Sequence, residues 1–357
     1  MKGIIYMKKI FAGIIAFAML FGTAYADNSA VSEMLNTVSV SAEELIRDDG
    51  LKYTLNDDGT EITITGFKYT VSEIDIPAQI NGVPVTAIKK GAFQGYSLDK
   101  ITIPDSVTVI DDYTFANCTL KSIVIPDTIT RIGDNAFRNC SGLTSIKIPD
   151  TVTEIGNEAF RNCRGFTSIK IPDSVTSIGT NAFEDCASLT EVTIPDSVSK
   201  IGYAVFSRCS ALKSVTIPES VTSIGYLAFG SCESLKEITI PESVTDIADK
   251  ALGYYNYTGL EKYEDFVIKG VKGSAAETYA NDNEFEFIEI KKTETEITGD
   301  LDSDGEITSS DALNILQLVV SGENLTDEQK KLADMDGDGE ITSADALYIL
   351  QMVVGLR

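Results

Sequence analysis

Between residues 74 and 252 the chain alternates short apolar and polar runs with one fixed period. Ile-Pro recurs at 103–104, 125–126, 148–149, 171–172, 194–195, 217–218 and 240–241, in steps of 22 and then 23. A phenylalanine keeps the same beat at Phe93, Phe115, Phe137, Phe160, Phe183, Phe206 and Phe229. A full unit reads IPDTVTEIGNEAFRNCRGFTS, from Ile148 to Ser168. So short a segment cannot bury its own apolar side, so successive units must stack and share one core. LTSIKIP (Leu143 to Pro149) alternates like a half-buried strand, with Leu143, Ile146 and Ile148 inward and Ser145 and Lys147 outward. Pro149 ends the strand, Asp150 and Thr151 make a turn, Val152 and Ile155 return to the core, and Gly156 permits a bend. Ala159 and Phe160 pack on the far side in a short helical or irregular segment. The pattern predicts a solenoid of parallel-sheet coils, each of about 23 residues, spaced at the usual interstrand distance of ~4.8 Å.

The flanks read as β-rich caps. LKYTLNDDGTEITITGF (Leu51 to Phe67) is two alternating runs around Asn56-Asp57-Asp58-Gly59, a hairpin signal. Ala251-Leu252 is a degraded repeat, followed by the tyrosine-rich GYYNYTGLEKY. Phe266 to Ile290 then reads strand, short helix, strand. At the other extreme, Lys8 and Lys9, the apolar run Ile10 to Gly22 and Ala24-Tyr25-Ala26 form a secretory-signal pattern that starts the mature chain at Asp27. That run is too short to span a bilayer comfortably, and no other apolar stretch is longer, so no transmembrane anchor is expected. The expected division is 1–26 signal peptide, 27–50 linker, 51–290 capped solenoid, 291–298 linker and 299–357 a separate module.

Charge and composition narrow the chemistry. Lys and Arg total 29 against 54 Asp and Glu, a formal net charge of −25. Nucleic acid is therefore excluded as the main partner, whereas hard cations are compatible. With no histidine, imidazole acid–base work, His-dependent nucleophiles and His-ligated zinc are excluded. The absence of Trp weakens a sugar-stacking platform. The six cysteines, Cys118, Cys140, Cys163, Cys186, Cys209 and Cys232, follow the repeat period, so they form a ladder with parallel Cβ vectors. That geometry suits buried free thiols better than disulfides.

Two outward rows line the expected strands: Lys100, Ser122, Ser145, Ser168, Glu191, Ser214 and Glu237, and Thr102, Val124, Lys147, Lys170, Thr193, Thr216 and Thr239. They are either a ligand surface or a solvated sheet face, and the lack of aromatic anchors tilts the balance to the latter. Asp105, Asp127, Asp150, Asp173, Asp196, Glu219 and Glu242 form an acidic row that turn chemistry explains. Glu191 and Glu237, about 10 Å apart by coil spacing, lie beyond the ~6.5–9.5 Å of an inverting glycosidase pair and have no pocket signal, so the solenoid is not expected to be an enzyme. The unit IP-acidic-S/T-V-T-x-I-G-x-x-A-F-x-x-C-x-x-L resembles the BspA-like leucine-rich repeats of bacterial surface proteins over roughly residues 74 to 252. The resemblance implies a right-handed leucine-rich repeat solenoid, and no single function.

The tail carries two matched acidic loops, DLDSDGEITSSD (Asp300 to Asp311) and DMDGDGEITSAD (Asp334 to Asp345), offset by 34 residues. Each has Asp at loop positions 1, 3 and 5, Gly at 6 and a carboxylate at 12, the oxygen spacing that wraps one Ca²⁺. The expected ligands are Asp300, Asp302, Asp304, Glu306 (carbonyl), Thr308 and Asp311, then Asp334, Asp336, Asp338, Glu340 (carbonyl), Thr342 and Asp345, for two ions. Gly305 and Gly339 give the sharp turns. A helix follows each loop, and Thr326 with Gln329 signals a capping box between them. Position 12 is Asp rather than Glu, and no helix precedes the first loop.

This duplicated loop–helix unit resembles a type I dockerin, a small all-α calcium-binding domain. The resemblance implies binding to a cohesin domain of a scaffoldin in a cellulosome-type assembly. It also implies that Ser309, Ser310, Leu316 and Gln317, and in the second copy Ser343, Ala344, Leu350 and Gln351, read the partner. Ala344 breaks the symmetry of the copies, and the basic pair familiar on such recognition helices is missing. The combined expectation is a secreted, non-catalytic binding subunit, tethered at the cell surface through a scaffoldin. Its solenoid presents a protein- or polysaccharide-binding surface. The alternative is a polysaccharide-degrading, glycoside-hydrolase type subunit, because dockerins usually carry such enzymes.

Overall fold

The computed structural model describes residues 44–255, 261–290, 298–302, 306–321 and 326–355. The signal-peptide pattern and Gly305 lie outside the described residues. The fold is a leucine-rich repeat β-solenoid with a helical C-terminal module, and it divides into two compact units. One holds everything described up to residue 215 with 224–235 and 248–262; the other holds 216–223, 236–247 and everything described from residue 263.

The first unit opens with an antiparallel hairpin, Leu51–Leu55 against Ile62–Phe67, around the turn at Asn56–Gly59. A short strand, Leu45–Ile46, pairs with Leu51–Leu55, so folded structure begins ahead of residue 51 and takes in the end of the expected linker. The strand at Ile62–Phe67 then runs parallel to Val83–Ile88, which pairs antiparallel with Gln79–Ile80 and completes a five-stranded cap sheet. On one side of the coils, Glu73–Asp75, Lys100–Thr102 and Ser122–Val124 form a parallel ladder. A second parallel ladder, absent from the sequence reading, joins Val109–Ile110, Arg131–Ile132, Glu154–Ile155 and Ser177–Ile178. It places Ile110, Ile132 and Ile155 in the core.

One expectation is corrected. Leu143, Ile146 and Ile148 are buried and Ser145 and Lys147 exposed, as alternation requires, but residues 145–147 and 168–170 are not strands. These two coils place Lys147 and Lys170 at the same register, and like charges directly opposite weaken a ladder. Gly142 and Gly165 also draw the backbone close to the preceding coil, where an added Cβ would lie 2.8 Å from the Leu120 carbonyl oxygen and 2.4 Å from that of Leu143.

The far side of each coil is a run of tight turns. In one coil the N–H groups of Ala136, Arg138 and Cys140 bond to the carbonyls of Gly133, Asn135 and Phe137. Between them, Asn135, Phe137 and Asn139 donate to Asn157, Ala159 and Arg161 of the next coil. Such turns need a positive φ, which Asn tolerates, and Asn135, Asn139, Asn162 and Asn181 supply it at 57–60°. Ser or Thr after each Pro-acidic step adds an intercoil bond. The hydroxyls of Ser106, Thr128, Thr151, Ser174 and Ser197 donate to the carbonyls of Val85, Val107, Ile129, Val152 and Val175 at 2.5–2.8 Å.

The core is a stack of rings beside a stack of thiols. Neighbouring rings from Phe93 to Phe229 lie 5.3–5.8 Å apart with planes within 22° of parallel. All six cysteines are buried and free. Each Sγ donates to the carbonyl of a repeat phenylalanine, from Phe93 for Cys118 to Phe206 for Cys232, at 3.0–3.3 Å. Burial pushes the Cys118 thiol up to about 11 and those of Cys140 and Cys232 up to about 12, and raises Cys163, Cys186 and Cys209 well above the ordinary range.

In the second unit, Glu237–Thr239 pairs in parallel with Val267–Gly270, which pairs in parallel with Glu286–Glu289. Helix α1 (Ala275–Asp282) joins the last two strands and buries Ala276, Tyr279 and Ala280, so the expected strand–helix–strand cap extends the sheet itself. The same unit holds helices α2 (Ser309–Ser321), α3 (Asp327–Ala333) and α4 (Ser343–Val353). Among the described residues no helix is long and apolar enough to cross a membrane.

Two measurements check this core. Gly179 takes an ordinary φ, but a Cβ there would meet the Asn157 nitrogen at 2.4 Å, whereas at Gly202 nothing lies nearer than 3.7 Å. Gly179→Ala is therefore expected to lower the urea midpoint substantially and Gly202→Ala to leave it nearly unchanged; equal effects would refute the close-approach account. The thiols ionise only on unfolding until the pH approaches their raised folded values. Their stabilisation is thus complete below the ordinary thiol range and lost above it, so the urea midpoint should fall as pH rises from about 8 toward 10. Rapid labelling of the native protein by a thiol reagent at pH 8 would contradict this burial.

Candidate functional site

The C-terminal module is built on two similar halves around a small core. Ala312, Ile315, Ala333, Ala346 and Ile349 are buried together, with Leu301, Ile307, Met335 and Ile341 packed against them. Ala312 and Ile315 of α2 match Ala346 and Ile349 of α4 at the 34-residue offset. Helix α3 starts with the expected capping box, in which the Thr326 hydroxyl accepts from the Gln329 N–H and the Gln329 side chain accepts from the Thr326 N–H.

Each acidic loop precedes one of the matched helices. In the first, carboxylate oxygens of Asp300, Asp302 and Asp311 lie within 4.8 Å of one another. In the second, those of Asp334, Asp336 and Asp338 do so. Asp304 lies outside the described residues. The set of hard oxygen donors at this spacing fits a divalent cation of the calcium kind. Around the second loop the carboxylates accept backbone N–H bonds, Asp334 from Gly337, Asp338 and Gly339, and Asp338 from Glu340, at 2.7–3.1 Å. Gly337 and Gly339 turn through positive φ of 76° and 84°.

The position-12 aspartates do more than the sequence reading assigned them. Asp311 is fully buried, and its two oxygens accept from the N–H groups of Leu301, Asp302 and Thr308. Its burial pushes the carboxyl up, yet these donors together hold it below the usual carboxylate range. Asp345 repeats the arrangement. Oδ1 accepts from the Met335 N–H and Oδ2 from the Thr342 N–H, each at 2.8 Å, while the Thr342 hydroxyl caps α4 by accepting from the Ala344 N–H. These aspartates therefore tie the start of each loop to the first turn of its helix. Asp345 stands outside the cluster of Asp334, Asp336 and Asp338. Thr308 and Thr342 serve the same first turns, and Glu306 and Glu340 are exposed.

The residues assigned to partner recognition are at the surface. Ser309, Ser310, Leu316 and Gln317 are exposed, as are Ser343, Ala344 and Leu350, with Gln351 half-buried. The sequence reading missed the larger part of this surface. Leu313 and Leu347 are both 54% exposed, and Val320 and Val354 more so. Leu313, Leu316 and Val320 follow i, i+3, i+7 spacing, and Leu347, Leu350 and Val354 repeat it. Six exposed aliphatic side chains in matched triplets are more apolar surface than a solvated helix face needs. The signal was present in the sequence as apolar residues in excess of what one core stripe needs.

A repeat solenoid with a duplicated acidic loop–helix module defines a modular binding protein. Residues 60–164 and 130–261 match the BspA type leucine rich repeat region, in six copies, and the chain belongs to that family. Residues 298–353 match the type I dockerin domain, a class that generally binds calcium and pairs with cohesins. Both are non-catalytic modules and typical of extracellular proteins. The chain is similar to the solved leucine rich repeat protein of T. pallidum at 32% identity and TM-score 0.50, over 54% of this chain and 91% of that one. A leucine rich cell surface protein from Faecalibacterium prausnitzii is 22% identical with TM-score 0.30, over 71% of this chain and 96% of that one. No curated protein matches the chain.

The structural role of Asp345 is separable from metal binding. In chelator, Asp345→Ala should speed amide exchange in residues 335–347 by about tenfold or more, matching the loss of a cap worth ~1–2 kcal/mol. Unchanged exchange in chelator would mean that the residue acts only through an ion.

Proposed function

We propose that this chain is an exported, non-catalytic subunit whose C-terminal module docks on a scaffoldin cohesin and whose solenoid presents a surface to a protein or polysaccharide ligand. One observation carries the docking half: the paired aliphatic triplets of α2 and α4, each led by an acidic loop, on a segment similar to type I dockerins. In this reading residues 1–26 are the signal peptide, a linker follows and ends before the Leu45–Ile46 strand, the capped solenoid runs on to residue 290, 291–298 is a second linker and 299–357 the dockerin. Ser309, Ser310, Leu316 and Gln317, or Ser343, Ala344, Leu350 and Gln351, meet the cohesin, joined by Leu313 and Leu347. The small core of the module supports the coupling of its order to metal.

Two calcium ions fill the loops in this reading. Asp300, Asp302, Asp304, the Glu306 carbonyl, Thr308 and Asp311 hold one, and Asp334, Asp336, Asp338, the Glu340 carbonyl, Thr342 and Asp345 hold the other. Each ion supplies the positive charge that lets carboxylates gather, and so fixes the loop that launches each recognition helix. That both matched families are non-catalytic supports the absence of an enzymatic role.

Calorimetric titration of the full chain should show two calcium ions bound, and capture by a type I cohesin panel should require them. The double variant Leu316→Asp, Leu350→Asp should lose capture by more than ~10-fold with calcium stoichiometry intact. Cohesin capture that survives both chelation and the double variant would overturn the reading.

A further inference from the structure

The solenoid carries a cavity that its consensus does not call for. It has a volume of about 350 Å³ and is lined by Asp185, Ser207, Arg208, Leu227, Glu233 and Tyr255, together with two further serines. Its walls stand on the intercoil ladder of the turn side. The Asp185 N–H donates to Ser207, that of Arg208 to Gly230 and that of Ser231 to Tyr254, at 2.7–2.8 Å. The backbone beneath the cavity is therefore fixed by the coil ladder.

The residues around it depart from the repeat. In earlier coils the position of Arg208 is Asn117, Asn139 and Asn162, whose side-chain amides bond to one another at 2.5–2.6 Å. All three take a positive φ near 60°, which Asn tolerates well. Arg208 holds the same conformation at 62°, as Asp185 does at 59° one coil earlier, and Leu227 holds 53° at a position that Tyr113, Glu158, Ala204 and Lys250 fill with similar positive φ in other coils. The cavity thus lies where the Asn amide ladder has ended and Asp185 and Arg208 take its place.

The lining selects the ligand class. Leu227 and one face of Tyr255 offer too little apolar surface for a lipid or an aliphatic side chain. The lining sets Asp185 and Glu233 against Arg208, and Asp185 is neutralised from outside the lining by Arg164, whose Nε–H donates to its Oδ2 at 3.0 Å. A balanced set of carboxylates, guanidinium and serine hydroxyls beside one aromatic ring matches vicinal hydroxyls and the C–H face of a neutral sugar, and the volume sits at the small end of ligand pockets.

We propose that this cavity is a binding site for one or two residues of a neutral polysaccharide, with Arg208 and Glu233 contacting its hydroxyls and Tyr255 its ring face. The proposal rests on the reading of the solenoid as the ligand-presenting part, and is independent of cohesin docking. The test is calorimetric titration of the full chain with cellotetraose, xylotetraose and mannotetraose, and with tetragalacturonate as the charged counterpart. At least one neutral tetrasaccharide should bind saturably. Arg208→Asn, which restores the residue of earlier coils, and Glu233→Gln should each weaken binding about tenfold or more with an unchanged melting temperature. Binding unchanged in both variants but lost in Lys147→Ala, Lys170→Ala would overturn the cavity assignment while keeping a ligand role for the strand face. Binding of tetragalacturonate alone, or no saturable binding of any probe, would overturn it outright.

Discussion

Everything in the repeat region depends on one constraint: a coil of some 23 residues has no interior of its own. Its Phe, Ile and Cys side chains leave water only when the next coil lies on top of them. The consensus is a list of what that contact requires. Phe160 needs the rings of Phe137 and Phe183 above and below. Gly156 and Gly179 are glycine because the adjacent backbone passes within 2.4–2.6 Å of where a Cβ would be. Thr151 and Ser174 carry hydroxyls because the neighbouring carbonyl would otherwise lose a donor. The buried thiols fit the same logic: small, apolar enough for the stack, and able to give a weak hydrogen bond to a Phe carbonyl.

The C-terminal module solves the same shortage of core differently. Two helices of matched sequence, with a short third, bury only a few aliphatic side chains and leave more than these in water, the two matched triplets among them. A fold with so little buried surface gains its order from directed polar bonds. Asp311 and Asp345 each knit a loop to a helix start from a buried position. On the proposed reading a cation between the acidic clusters would strengthen that order, because like charges held so close are costly until neutralised. Surplus apolar surface and a cation-binding loop would belong together in a plug that loading makes firmer.

Much of this was legible in the sequence because repetition amplifies weak signals. One IPDTVTEIG segment is ambiguous, whereas seven in register leave one architecture, and two acidic loops offset by 34 residues leave one kind of module. What escaped was relational. The second ladder at Glu154–Ile155 is two residues long in each coil and has no period-2 run to betray it. The missing strand at 145–147 depends on lysines in adjacent coils, which alternation within one coil does not see. The capping role of Asp345 was hidden because ligand and cap patterns share the same Asp. The exposure of Leu313 and Leu347 could not be separated from burial while the size of the core was unknown. The cavity at Arg208 sits where the consensus fails, and a reading built on the consensus passes over it.

The central claim, that each coil is stabilised by its immediate neighbours through the ring stack, is tested most directly by coupling energies. Double-mutant cycles in urea would compare Phe137→Leu with Phe160→Leu, one coil apart, and Phe137→Leu with Phe206→Leu, three coils apart. The account predicts coupling of ~0.5–1.5 kcal/mol for the adjacent pair and none beyond error for the distant pair. Equal coupling in both cycles, or none in either, would contradict it.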